Sequence, residues 1–368
     1  MSVDQSIGLP VLHQAVAKRT PKIDAALIDE RSAIHSGKLG DIIYALPTCR
    51  ALGINHLVLN IYHEPNDPLR RFPLPSAREI VALLLQQPYL DKVSIVSVPG
   101  KLEDQWSPPG KIDFNLDLFR NVARHRAGKV IFSLPKFARF RASDPPAHLA
   151  EMFAAGLGIR VPLHEPWLTV PKQGSSPKVV VSVTRNWRSY PDRYWKIILD
   201  GLSEIAFVGH QKEWETSGIT EGDYFPTRDH FELASLIGGA SLFLGTVSFP
   251  YALAEGLKVK RAVEICHRNL NAFPIGSSGY VLPTDVSQAR TLIAGLLPRH
   301  QQEAYRKRSR QLSKSPSHFI FSRYNSIRTY SAESNHTFTQ TLRFMLARWK
   351  RAIDELLETR LTARKSQP

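Results

Sequence analysis

The sequence predicts an α/β protein built from two doubly wound halves, followed by a basic helical extension. Three observations lead there. Short apolar runs alternate with helix-length amphipathic stretches along the chain, the pattern of repeated βαβ units around parallel sheets. The alternation stops at Pro171–Pro177 (PKQGSSP), which has linker composition, and then restarts. After Pro298 the composition turns strongly basic. The expected divisions are an N-terminal extension over residues 1–30, halves over 31–170 and 178–298, and an extension over 299–368.

In the first half, Ser32–Ile34 reads as a short strand, and Gly37–Asp41 (GKLGD) as a turn into a helix from Ile42 to Leu52. His56–Tyr62 is a strand, Ala77–Gln87 a helix, and Lys92–Val98 and Ile112–Leu116 are strands. In the second half, Lys178–Thr184 (KVVVSVT) has the unbroken apolar run of a strand buried on both faces. The helix Tyr194–Leu202 turns Trp195, Ile198 and Leu199 inward. Ile205–Gly209, Ser241–Gly245 and Arg261–Ile265 are the next strands, and Phe231–Ile237 and Pro250–Leu257 the helices between them. Beyond Pro298, Gln301–Ser313 is a basic helical segment. Thr341–Leu361 is amphipathic, with Leu342, Met345, Leu346, Trp349, Ile353, Leu356 and Leu357 at helical spacing.

Composition excludes several classes. With 368 residues, 43% apolar and 22% charged, the chain can fill two α/β cores. Cys49 and Cys266 stand far apart without metal-ligand neighbours, so neither a disulfide framework nor a zinc site is expected. The N-terminus lacks the apolar core of a secretory signal and no run is long enough to span a bilayer, so a cytoplasmic protein is expected. Residues 299–368 carry 15 Lys/Arg against 5 Asp/Glu, most of the net +15. Such a tail favours anionic partners; its amphipathic helix is expected to pack across the two domains, with peripheral contact with acidic inner membrane as the alternative. Nucleic acid is not expected, since no nucleic-acid-binding motif accompanies the charge.

Four segments at strand ends carry the candidate chemistry. Gly37 and Gly40 permit a tight turn and close approach to backbone, Lys38 can meet an acceptor or a phosphate, and Asp41 can take a proton from a hydroxyl nucleophile. The G-x-x-G spacing is neither the full dinucleotide fingerprint nor a phosphate-binding Walker loop. Thr184, Arg185 and Arg188 follow the first strand of the second half, where two guanidiniums can clamp a diphosphate. Thr246 and Ser248 precede a helix with Pro250 in its first turn, so Ser248 is placed to cap it beside exposed N–H groups. Glu213 follows the next strand, where an acid can hold ribose hydroxyls.

In this order the segments resemble the ADP-heptose–lipopolysaccharide heptosyltransferases of glycosyltransferase family nine, over residues 32–298. Ile34–Leu52 resembles that family's strand, S-L-G-D turn and T-x-P-x-x-x-A-L helix; Thr184–Trp195 its K-x-W-P-x-x-x-W loop; Glu232–Leu257 its E-L-A-x-L-I and D-S-G-P-x-H-L-A-A-A-L block. The resemblance implies a GT-B fold, two Rossmann-like domains facing across a cleft. It implies Asp41 as base, Arg188 in place of the diphosphate-binding lysine, Glu213 as the ribose acid and Ser248 at the phosphate-binding helix. Val247, Phe249 and Ala252 stand where the family has Asp, Gly and His; Glu255, one turn further, is a candidate replacement polar group.

The expected activity is inverting, metal-independent transfer of a sugar from a nucleotide-sugar to a glycan or lipid-linked glycan acceptor of lipopolysaccharide type. The nucleotide-sugar is a co-substrate and no cofactor is expected. The alternative is a nucleotide-sugar-binding or scaffold protein of the same fold without turnover, which the departures at 247, 249 and 252 favour.

Overall fold

A computed structural model describes residues 16–17, 31–63, 71–97, 112–118, 148–171, 179–185, 187–217, 219, 221–266 and 271–313. Most of the linker and the Thr341–Leu361 segment lie outside the described residues.

The strands are β1 (Val16–Ala17), β2 (Ser32–His35), β3 (His56–Asn60), β4 (Tyr62–His63), β5 (Arg71–Phe72), β6 (Lys92–Val96), β7 (Phe114–Asn115), β8 (Val179–Ser182), β9 (Ile205–Phe207), β10 (Asp223–Tyr224), β11 (Leu242–Thr246), β12 (Arg261–Glu264) and β13 (Gly279–Val281). The helices are α1 (Leu39–Ala51), α2 (Leu74–Leu85), α3 (Leu149–Gly156), α4 (Asp192–Leu199), α5 (Gln211–Ser217), α6 (His230–Gly239), α7 (Phe249–Gly256), α8 (Val286–Leu296) and α9 (Arg299–Ser313).

Two sheets form, as the alternation predicts. The first runs β1-β6-β3-β2-β7, parallel except for the antiparallel edge pair β1–β6. The second runs β10-β9-β8-β11-β12-β13 and is parallel throughout. In chain order the second sheet is 3-2-1-4-5-6, the doubly wound order. In both sheets the winding reverses beside the first strand of the half, between β2 and β7 and between β8 and β11. Crevices at the carboxyl ends of strands at such reversal points are where these sheets take ligands.

The halves pack through helices. Gly40 on α1 lies against Ala252 on α7 and Ile43 against Gly256. The segment after α3 ties them: Trp167 Nε1 donates to Ile43 O at 3.0 Å, while the Trp167 and Leu168 N–H groups donate to Gly256 O. One continuous apolar core holds residues of both halves, including Ile43, Leu46, Trp167, Val247, Tyr251 and Leu253. A second core, with Trp195, Phe207, Leu244 and Tyr305, lies on the far face of the second sheet. There α9 docks, with Tyr305 OH on Ile198 O at 2.5 Å and Arg308 on Asp200 at 2.9 Å. Cys49 and Cys266 are both buried, and burial pushes the Cys49 thiol up to about 12.

Candidate functional site

The β2–α1 turn is set by Gly37 and Asp41. The helix begins at Leu39, earlier than the expected Ile42, because Asp41 in its first turn accepts the Lys38 N–H at 3.1 Å. Lysine offers no acceptor for a reciprocal bond. Asp41 is half-buried and Lys38 exposed. Gly37 is obligatory on steric grounds: a Cβ there would overlap His35 Nε2 and lie 2.6 Å from Asp41 Cβ. Gly37→Ala is therefore expected to cost about 1–3 kcal/mol as an overpacking change, read as a lowered urea midpoint. An unchanged midpoint would mean that the turn yields without strain.

His35 is the neighbour that motif reading missed. It ends β2 and is 1% exposed. Its Nδ1 lies 3.0 Å from Asp117 Oδ1, and Asp117 also accepts the Ser36 N–H, at 3.0 Å to Oδ2. Asp117 follows β7, so the pair straddles the winding reversal of the first sheet. The only available signal was a His at a strand end; its partner is 82 residues away.

At the reversal point of the second sheet, Thr184 N donates to Thr246 Oγ1 at 3.0 Å. Thr246 is fully buried, so its hydroxyl ties two strand ends together. Arg188 pairs with Asp192 at 2.5 Å and is 13% exposed. Arg185 is exposed and donates to Thr216 O at 3.3 Å, toward the end of α5. Glu213 Oε2 and Ser182 Oγ both border the open Cα face of Gly209, whose φ of +122° demands glycine. That places the acid at the carboxyl ends of β8 and β9.

Ser248 occupies the N-cap position of α7, but its side chain makes no capping bond and Oγ has no hydrogen-bond partner. The extended backbone there, φ −157°, delivers the chain into Phe249 and Pro250. Phe249 stacks edge-on against His230, centroids 4.6 Å apart. Burial pushes His230 down to about 4, so its 3.4 Å approach to Glu79 on α2 is no ion pair at neutral pH. Val247 is buried in the shared core, and Ala252 is the contact surface for Gly40.

Glu255, the candidate replacement polar group, is fully buried, and its carboxylate is taken up by protein partners. Its carboxylate takes Arg261 Nε and Lys258 Nζ, each at 2.5 Å, and the Ile275 N–H at 3.2 Å. Burial opposes the carboxylate, but Arg261 and Lys258 outweigh it and hold the group below the usual carboxylate range. Helix position alone could not foresee this, since Arg261 comes from a strand.

Glu264, also unforeseen, is buried at the end of β12. It accepts the Ser189 N–H, the Tyr190 N–H at 2.6 Å and Trp195 Nε1–H at 2.8 Å. It thus anchors the loop that carries Arg188. Burial raises it to about 7 against the pull of those donors and of Arg188. The folded state keeps a proton that the unfolded chain releases near pH 4.3. Its contribution to stability therefore falls as pH rises from about 4.3 to about 7, and is level above. Subtracting the pH–melting curve of Glu264→Gln from that of the parent is expected to isolate this slope; a flat difference would contradict it.

No protein-family model matches the sequence, and no curated protein matches it. Solved structures do show similarity. Heptosyltransferase WaaC of E. coli with ADP is 13% identical, covering 72% of this chain and 99% of that one, at a TM-score of 0.47. The same enzyme with ADP-2-deoxy-2-fluoro heptose is 14% identical, covering 68% and 91%, at 0.43. A glycosyl transferase family 9 structure from Veillonella parvula DSM 2008 is 12% identical, covering 80% and 98%, at 0.46.

Proposed function

We propose that the chain is an inverting glycosyltransferase that uses a nucleotide-sugar without a metal ion. The acceptor, a glycan or lipid-linked glycan of lipopolysaccharide type, binds the first half, and Asp41 takes the proton of its attacking hydroxyl. The donor lies along the carboxyl ends of β8, β9 and β11. Its ribose meets Glu213, and its diphosphate meets Arg188 and the N–H groups beside Ser248, which stabilise the charge that grows on the leaving oxygen. Arg188 releases Asp192 to do so. Lys38 serves acceptor or phosphate.

One observation carries this reading: Gly40, next to the Asp41 carboxylate, packs on Ala252, one turn in from Ser248. That contact supports reading the β2–α1 turn as the proton acceptor and the start of α7 as the anion site of one shared cleft.

The buried, apolar Val247 and Phe249, which opens α7 and packs its ring on His230, favour a second reading, a nucleotide-sugar-binding protein without turnover. A thermal-shift screen with ADP-, GDP- and UDP-sugars, followed by transfer assays on glycan acceptors, separates the two. Stabilisation with transfer supports the enzyme, stabilisation alone the binding protein, and neither response with any donor rejects both. The exposed Arg306 and Lys307 on α9 support contact of the C-terminal extension with acidic membrane.

A further inference from the structure

His35 Nε2 is a buried polar atom with no hydrogen-bond partner. Leaving such an atom unmatched costs stability. Because the Asp117 carboxylate can only accept, Oδ1 takes a hydrogen from Nδ1, and in the neutral ring Nε2 is then the nitrogen with the lone pair. That lone pair needs an N–H or O–H. The ring is fixed by Asp117 on one side and by the edge contact with Phe153, centroids 5.1 Å apart, on another. Nε2 faces Gly37, the residue that Asp41 Cβ also crowds.

We propose that the His35–Asp117 pair is the positioning device of Asp41, with Nε2 receiving the O–H that Asp41 carries only once it has taken the acceptor's proton. The proposal rests on the reading of Asp41 as the base. In the resting structure Nε2 has no partner within hydrogen-bond distance, and Asp41 and Nε2 meet only around Gly37, so the bond forms as Asp41 turns toward Nε2 on taking up the proton. As the acceptor oxygen forms its bond to the anomeric carbon, the bond from that carbon to the donor phosphate breaks and its electron pair leaves on the diphosphate. The hydroxyl proton moves to Asp41, whose new O–H donates to Nε2. A hydrogen bond available to the acid form and not to the carboxylate favours proton uptake, and one formed only along the reaction lowers the barrier. The pair's place at the winding reversal of the first sheet puts it where such sheets work on ligands.

Asp117→Asn tests this with little change of shape. The Asn oxygen can still accept the Ser36 N–H, while its amide donates to Nδ1 and so converts Nε2 into a donor, the wrong partner for an acid O–H. This is the tautomer logic known from the serine-protease triad. The expected result is a kcat about 10- to 100-fold lower with the donor KM within about twofold, and no further loss when Asp117→Asn is added to Asp41→Asn. His35→Phe keeps a ring without the nitrogen and is expected to behave likewise, which covers failure of Asp117→Asn to fold. Wild-type kcat in a folded Asp117→Asn or His35→Phe protein would overturn the proposal, as would losses that multiply with Asp41→Asn. Those outcomes leave Asp41 as base untouched. Full activity of Asp41→Asn, or no transfer by the parent protein, would overturn the base assignment and this proposal together.

Discussion

Asp41→Asn is expected to fold like the parent and to lose about 10²- to 10⁴-fold in kcat, the range for removal of a positioned general base. The asparagine oxygen can still accept the Lys38 N–H that starts α1, because that bond uses a single oxygen, Oδ2 at 3.1 Å. The helix start therefore survives while the proton acceptor is lost. Donor affinity is expected to hold, since the groups proposed for the diphosphate and ribose come from the other half. The measurement is steady-state transfer with the donor picked out by thermal shift, beside a melting curve of the variant. Undiminished transfer in a folded Asp41→Asn protein would remove Asp41 from the chemistry.

The largest stability effect is expected at Glu255. Replacing it by Ala leaves Arg261 and Lys258 inside the protein without their counter-charge, and the Ile275 N–H without its acceptor. Breaking a buried pair on one side costs about 3–5 kcal/mol. For a domain of this size that lowers Tm by roughly 6–20 °C. Arg261 keeps bonds to Val259 O and Ile275 O, so its head group stays in place and the lost charge is what the experiment reads. Removing both members, Glu255→Met with Arg261→Met, is expected to cost less than the single change, because no guanidinium is then left stranded at that site. A Glu255→Ala protein melting within about 2 °C of the parent would refute the network's importance. The pH dependence has a definite sign. Glu255 is held below its unfolded value, so its contribution is present above the ordinary carboxylate range and is lost as acid protonates it in the fold.

The strand and helix periods were legible because they are local. The KVVVSVT run, the alternation of apolar segments and the glycines at 37 and 40 each constrain only their own neighbours in the chain. Two parallel sheets follow from that alternation, since parallel strands need a crossover between them. The Gly37–Asp41 turn was legible for the same reason: its bonds span three residues. The helix boundary was misjudged by a turn, and Ser248 sits at the N-cap position without using its hydroxyl for it.

Sequence by itself determined the class of fold, the two winding halves and the strand-end loops that hold Asp41, Arg188, Glu213 and Ser248. Only the tertiary structure decided which charges stand beside which. His35 meets Asp117 across 82 positions, Glu264 meets Ser189 across 75, and Arg261 reaches Glu255 from a strand beside the helix. The physical reason is that secondary structure is written in periods of two and 3.6 residues. The partner of a buried polar atom depends on which strand ends the sheet order makes neighbours, and no local period carries that information.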